Sequence, residues 1–242
     1  MPHGYPDWGP SAPIATVYSL QDMAELAVRL GSIVTFDRRG AVCWLDDFEH
    51  TINHWEIHID SPPGAITLSA EAARTGALSA KITSPSINGD ASEMVKRLPC
   101  PTPSNLGFEF SWAGAEDLAY LRAQIMLNPT GYRYYFDIRY DIAQDYLYYR
   151  NSAGTWVQLS PRVWTAKSPY VWNTIKFVIA ATTFKWKHIL FNSQPFDMAN
   201  IPGYQPSIGH PYEMDARIAA YSGTAGSKLV YIDDVIITQN EP

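Results

Sequence analysis

A chain of 242 residues with 46% hydrophobic and 17% charged residues can build a substantial core, since a domain of this size buries roughly 70% of its unfolded surface, and this excludes disorder of the whole. A formal net charge of -6 without any run of Lys or Arg excludes a broad nucleic-acid footprint and an anionic membrane as partners. No stretch approaches the roughly 20 apolar residues of a membrane helix, and the opening MPHGYPDWGP lacks the basic and apolar regions of a secretory signal.

Residues 1–18 hold Pro2, Pro6, Pro10 and Pro13 with Gly4 and Gly9. Prolines remove backbone donors, so this segment reads as an extended arm, with Tyr5, Trp8 and Tyr18 as anchors that need a surface to bury against. Ser19–Leu30 reads as a helix. Ser19 can cap it, Asp22 takes the capping-box position, and Met23, Leu26, Ala27 and Leu30 recur at helical spacing, with Gly31 to end it. At about three turns it is marginal alone, so its stripe must pack on the rest of the protein or on another subunit. Ile33–Phe36 then reads as a short strand, closed by a charged turn at Asp37–Gly40.

From Ala41 onward the pattern is strand after strand: Val42–Phe48, Trp55–Ile59, Ala65–Ser69, Leu78–Ser84, Leu106–Trp112, Leu121–Leu127, Tyr132–Tyr140, Tyr146–Arg150, Thr155–Leu159, Trp172–Ala180, Lys185–Phe191, Met214–Tyr221 and Leu229–Thr238. Turn residues such as Asn88-Gly89-Asp90, Pro129-Thr130-Gly131 and Ala153-Gly154 separate them. The 15 Tyr, 9 Phe and 8 Trp suit strands, because aromatic side chains fit a pleated, half-buried surface. The expectation is an all-β antiparallel sandwich over residues 41–242, preceded by an arm and short helix over residues 1–40.

Two strands divide into faces. Tyr132, Tyr134, Phe136, Ile138 and Tyr140 form an apolar row against Arg133, Tyr135, Asp137, Arg139 and Asp141; Met214, Ala216, Ile218 and Ala220 oppose Asp215, Arg217, Ala219 and Tyr221. If these strands share a sheet, their polar faces combine into one surface.

No nucleophile elbow, phosphate-binding glycine loop, dinucleotide fingerprint or HExxH occurs, and the reading is not of an enzyme, although two acids on neighbouring strands could still make a glycosidase pair. Cys43 and Cys100 read as buried apolar fillers rather than a disulfide. His50, His54 and His58 lie in a turn followed by strand and read as surface or structural histidines.

The residues Leu45-Asp46-Asp47-Phe48-Glu49, then Trp55, then the run from Arg74 to Ile82, and finally Tyr231-Ile232-Asp233-Asp234-Val235 resemble the jelly-roll carbohydrate-binding modules and related concanavalin-like β-sandwiches over residues 44–238. The resemblance implies a jelly roll with its first and last strands adjacent. It also implies a structural calcium held by Asp47 or Glu49, the Arg74–Gly76 backbone and Asp234, a mixture of carboxylates and carbonyls that calcium favours. The alternative is that these acids cap strand ends and pair with Lys or Arg.

The leading functional expectation is a non-catalytic structural protein of a surface assembly, a virion component folded in the cytoplasm. Its arm would make a homo-oligomer or join a larger scaffold. The alternative is a carbohydrate-binding module. There Tyr135, Trp186 or Tyr221 would stack on sugar rings, and Arg133, Asp137, Arg139 or Arg217 would hydrogen-bond hydroxyls. A glycan-cleaving enzyme of the same fold is the third reading.

Overall fold

The computed structural model describes residues 40–242 except 100–102, 115–117, 130, 160–161, 164, 166–167, 169, 193, 207–212 and 224–225. The expected arm, helix and first short strand, with Tyr5, Trp8, Tyr18, Met23, Leu26 and Leu30, lie outside the described residues, as does Cys100. Cys43 is an exposed free thiol rather than a buried filler, because it falls at a bulge where β1 slips register against its neighbour.

The described residues form strands and no helix: β1 (Ala41–Asp46), β2 (Glu56–Ile59), β3 (Ala65–Ser69), β4 (Ser79–Thr83), β5 (Ala91–Pro99), β6 (Asn105–Gly114), β7 (Tyr120–Asn128), β8 (Tyr134–Asp141), β9 (Tyr146–Arg150), β10 (Trp156–Gln158), β11 (Asn173–Ala180), β12 (Lys185–Phe191), β13 (Gln194–Asp197), β14 (Glu213–Tyr221) and β15 (Leu229–Gln239). Sheet one runs β13-β12-β11-β6-β15-β4-β3, and sheet two β10-β9-β8-β7-β14-β5-β2, all neighbours antiparallel. β1 pairs with the C-terminal half of β15 while β4 pairs with its N-terminal half, so the first and last strands are adjacent as the resemblance implied.

The core lies between the sheets, and the period-2 pattern decides which side chains enter it. Phe108, Phe110 and Trp112 of β6 and Ile175, Phe177 and Ile179 of β11 meet Leu121, Ala123 and Ile125 of β7, Phe136, Ile138 and Tyr140 of β8, and Met214, Ala216 and Ile218 of β14. Ring contacts cross the gap: Phe136 meets Trp186 edge-on at 5.4 Å, Tyr140 meets Trp112 and Phe191, each at 5.3 Å, and Tyr134 stacks on Phe184 at 4.0 Å. Tyr132, expected in the same core row, is 52% exposed, because β8 begins only at Tyr134 and the chain before it is still leaving the turn. Strands β5 and β13 were not anticipated at all.

β15 carries one structural irregularity that matters. Between Asp233 and Ile236 it gains a residue relative to β6, and Asp234 adopts a φ of 48°. The bulge shifts the inward phase from Val230 and Ile232 to Val235 and Ile237, all buried. The two aspartates that sit at the phase change are thereby released from the core row.

Candidate functional site

The outward face of sheet two gathers side chains from all seven of its strands, and the register places them in rows. Tyr148, Arg139, Arg122, Ala219, Glu93 and His58 are successive cross-strand partners from β9 to β2. The next row brings Asp137, Gln124, Arg217, Val95 and Glu56 together, and beyond it lie Tyr135, Met126, Asp215 and Arg97. The opposite end carries Asp141, Tyr120, Tyr221 and Ala91.

The acids of this face form its floor and the guanidinium groups its upper layer. Asp137, with no exposed surface, accepts from Arg122 Nη2 at 2.7 Å and Nε at 3.1 Å, from Arg150 Nη1 at 3.4 Å, and from the Gln124 amide. Asp215, equally buried, accepts from Arg217 Nη2 at 2.7 Å and Arg97 Nε at 3.2 Å, while Arg217 also reaches Glu93 at 3.1 Å. Such charge-assisted pairs fix the direction of each arginine. Burial alone would weaken the hold of Arg122 on its proton, but the adjacent Asp137 outweighs this and pushes its pKa up.

Aromatic rings surround these charges. Tyr120 and Tyr221 stack at 4.3 Å, and Arg122 donates to the Tyr221 hydroxyl at 3.1 Å. Arg139 lies between Tyr148, Trp156 and Tyr120, at 4.6, 5.0 and 5.1 Å from their centroids. Arg150 covers Tyr204 at 4.1 Å, and Tyr135 meets the same ring at 6.1 Å. Gly154 makes that corner possible: its φ is +81°, and a Cβ there would come within 2.9 Å of the Tyr204 ring. Burial, together with neighbouring Tyr221, raises the Tyr120 pKa to about 12.

Of the sequence candidates, Tyr135, Asp137, Arg139, Arg217 and Tyr221 come together on this face. Arg133 stands at its margin, bonding the Tyr135 hydroxyl at 3.2 Å and Asn128 at 3.0 Å. Trp186 does not join them. It is 1% exposed on β12 of the other sheet, packed against Phe136, Phe177 and Tyr149, because its strand presents it inward to the core. Asp137 is on the expected face but at its floor, since two arginines and a glutamine close over it. Tyr120, Arg122, Gln124, Tyr148, Arg150, Trp156 and Tyr204 were not anticipated. The alternation of Tyr120, Arg122 and Gln124 with Leu121, Ala123 and Ile125 carried a readable signal; Tyr204, outside any strand, had none.

A second polar cluster lies where β1 meets β15, on sheet one. Asp233 accepts from the Arg74 and Thr75 backbone at 2.7 and 3.4 Å, and Asp234 from the Thr75 hydroxyl at 2.6 Å and from Arg74 Nη1 at 3.1 Å. Glu49 accepts from the Ala77 and Leu78 backbone N–H groups, both at 2.8 Å, and Gly76, with φ +64°, leaves room for that carboxylate where a Cβ would strike it. Asp47 Oδ1 accepts from the Glu49 N–H at 3.2 Å. Among the described residues, no three or more His, Cys, Asp or Glu side chains are grouped to hold a metal ion.

Burial, and then the adjacent Asp234, raise the Asp233 pKa to about 7. The folded state therefore binds the Asp233 proton more tightly than the unfolded chain does. This stabilising preference is complete below the ordinary carboxylate pKa and is lost as pH rises through about 7. Thermal melting is expected to drop between mildly acidic and mildly alkaline buffer, and Asp233→Asn should flatten that dependence; an unchanged slope in the variant would count against the assignment.

No family model matches the sequence, and no curated protein matches it. Solved structures do match. The chain is similar to an endo-β-1,4-glucuronan lyase from the fungus Trichoderma reesei, with a TM-score of 0.56 at 15% identity over 82% of this chain and 96% of that one. It is similar to a carbohydrate esterase from the Shiga toxin-encoding bacteriophage phi24B, with a TM-score of 0.54 at 13% identity over 84% and 100%. It is also similar to peanut lectin, with a TM-score of 0.53 at 10% identity over 81% and 95%. At these identities the likeness concerns the fold, and it identifies the chain as a β-sandwich of the jelly-roll, concanavalin-like kind.

The expectation of a non-catalytic virion component is corrected here. The chains that share this fold are named for a carbohydrate lyase, a carbohydrate esterase and a lectin, which favours the glycan-directed alternative. The subunit contacts invoked for that expectation rested on the arm, which lies outside the described residues.

Proposed function

We propose that the outward face of sheet two binds a glycan. The observation that carries this reading is the layering of the face: aromatic rings and oriented guanidinium groups stand above carboxylates that are themselves buried and saturated. Sugar rings offer apolar C–H faces that stack on aromatic side chains, and hydroxyls that pair with fixed donors and acceptors. Tyr221, braced by Tyr120 and Arg122, and Tyr135, beside Tyr204, supply the rings; Arg217 and Arg139 supply donors.

Titration calorimetry against a panel of plant, fungal and bacterial polysaccharides tests it. Tyr221→Ala and Tyr135→Ala are expected to weaken binding roughly tenfold each while leaving the circular dichroism spectrum intact. A folded wild-type protein that binds no member of the panel overturns the reading. The same incubations, assayed for new reducing ends and for unsaturated products, decide between a face that binds and one that also cleaves.

Calcium at the crossing of β1 and β15 is a separate proposal that rests on the sequence resemblance. The ion would have to displace Arg74 from Asp234 and recruit the Arg74–Gly76 carbonyls. If it does, Tm is higher in calcium than in chelator and Asp234→Ala removes the difference. Equal curves leave Arg74 as the counter-ion of Asp234.

A further inference from the structure

Arg139 stands out on the face because it forms no ion pair among the described residues although it lies among three rings; Arg133, at the margin, forms none either, but its guanidinium donates to Asn128 and to the Tyr135 hydroxyl. The other arginines of the face that form ion pairs each have at least one carboxylate within 4.0 Å: Arg122 and Arg150 share Asp137, Arg217 has Asp215 and Glu93, and Arg97 has Asp215, Glu213 and Glu56. Arg139 forms no ion pair among the described residues, and its Nε is buried without a hydrogen-bond partner. Three rings hold it instead, those of Tyr120, Tyr148 and Trp156. Aromatic rings stabilise a cation through its faces, but they accept none of the in-plane N–H bonds a guanidinium can make, so its donor edge is left for another group.

The register makes the placement costly. Arg139 is the direct cross-strand partner of Arg122, and like charges placed opposite each other on one face are destabilising. Asp137 offsets Arg122 and Arg150, while Asp141, two residues beyond Arg139 on β8, accepts the Gln144 N–H of the following turn and forms no ion pair with Arg139. The β7–β8–β9 part of the face thus holds three guanidinium groups around one buried carboxylate, on a protein whose net charge is -6. An arrangement that is unfavourable when empty becomes favourable when an anion arrives.

We infer that the glycan taken by this face is acidic, and that a uronate carboxylate binds the donor edge of Arg139 beside Arg122. This rests on the glycan-binding reading and narrows it to a substrate class. The planar fork of a guanidinium matches a carboxylate with two parallel bonds, and an ammonium group cannot reproduce that geometry. The clamping rings fix the fork in advance, so little side-chain entropy is lost on binding.

The test uses the full chain and pairs of oligosaccharides that differ only in C6 oxidation: a β-1,4-glucan and its glucuronan, a mannan and its mannuronan, a galactan and its galacturonan, with a sulfated glucan as a further arm. At least one carboxylated member should bind roughly tenfold or more tightly than its neutral partner, with an affinity that falls as salt rises. Arg139→Gln should remove the discrimination and the salt dependence, leaving the carboxylated and neutral partners with the same, reduced affinity. Arg139→Lys should recover the salt dependence but only part of the discrimination, since it restores charge without the fork. If the variants fail to fold, the salt dependence and the paired affinities of the wild type still decide the matter. Neutral chains bound as tightly as their oxidised partners overturn the acidic assignment and leave glycan binding standing; preference for the sulfated chain overturns the carboxylate. Failure to bind any chain, neutral or charged, is the distinct result that removes the glycan reading itself.

Discussion

Replacing Asp137 with Ala is expected to destabilise the protein by about 3 kcal/mol, the lower end of the range for removing one partner of a buried ion pair. The carboxylate has no exposed surface and holds Arg122, Arg150 and Gln124 together. Without it, Arg122 and Arg150 lose their shared counter-charge with Arg139 directly across from Arg122, and the amide of Gln124, a residue only 2% exposed, loses its acceptor. Arg122 and Arg150 keep 20% and 28% of their side-chain surface, so water can solvate them in part, which sets the effect at the lower end. Urea unfolding at constant m-value measures the loss. Asp137→Asn, which keeps an acceptor and the shape but removes the charge, should fall between the variant and the wild type. A loss under about 1 kcal/mol in Asp137→Ala would mean that water replaces the carboxylate and that the floor of the face is not a sealed layer.

Phe136→Ala is expected to cost about 3–5 kcal/mol, as deletion of a fully buried phenylalanine does, and to lower Tm by about 10 °C for a domain of this size. Phe136 is 0% exposed at the centre of the core, edge-on across the gap to Trp186, which in turn touches Phe177 of the neighbouring strand β11. The chain has adapted to that ring elsewhere: a Cβ on Gly203 would come within 2.8 Å of it, so the loop that carries Tyr204 to the outward face of sheet two closes directly over Phe136. The cavity left by alanine therefore lies beneath the corner formed by Tyr135, Tyr204 and Arg150, and affinity at the proposed glycan site should fall along with stability. Tyr132→Ala is the matched control. Its ring is 52% exposed and precedes β8, so its effect should stay within about 0.5 kcal/mol. Comparable losses in both variants would show that the alternation in this strand does not define the core.

The sandwich was legible in the sequence wherever a strand has one buried face. The alternation in residues 134–140 and 214–220 identified Phe136, Ile138, Met214, Ala216 and Ile218 as core and put Tyr135, Arg139, Arg217 and Tyr221 on the opposite side, because a period of two admits only that division. The resemblance to jelly-roll carbohydrate-binding modules, carried in part by the short acidic motifs at the two ends, implied adjacent first and last strands, which the pairing of β1 with β15 shows. Where the pattern is mixed, the reading stopped. β5 carries Glu93 and Arg97 on its outward side and Lys96 on the other, and a strand so charged is intelligible only once Arg217 and Asp215 of the neighbouring β14 are seen to pair with it. Trp186 shows a different limit. Alternation says that a residue has a side, but not which sheet its strand joins nor which side of that sheet is the inside, and β12 turned out to present Trp186 to the core. The charge state of the face was likewise beyond the sequence. Arg122, Arg139 and Arg150 are 28 residues apart from first to last along the chain, and nothing in their spacing distinguishes the two that share Asp137 from the one enclosed by rings. Local periodicity fixes orientation relative to a strand's own axis, whereas pairing of charges depends on distances of a few ångströms between strands, which only register and sheet order determine.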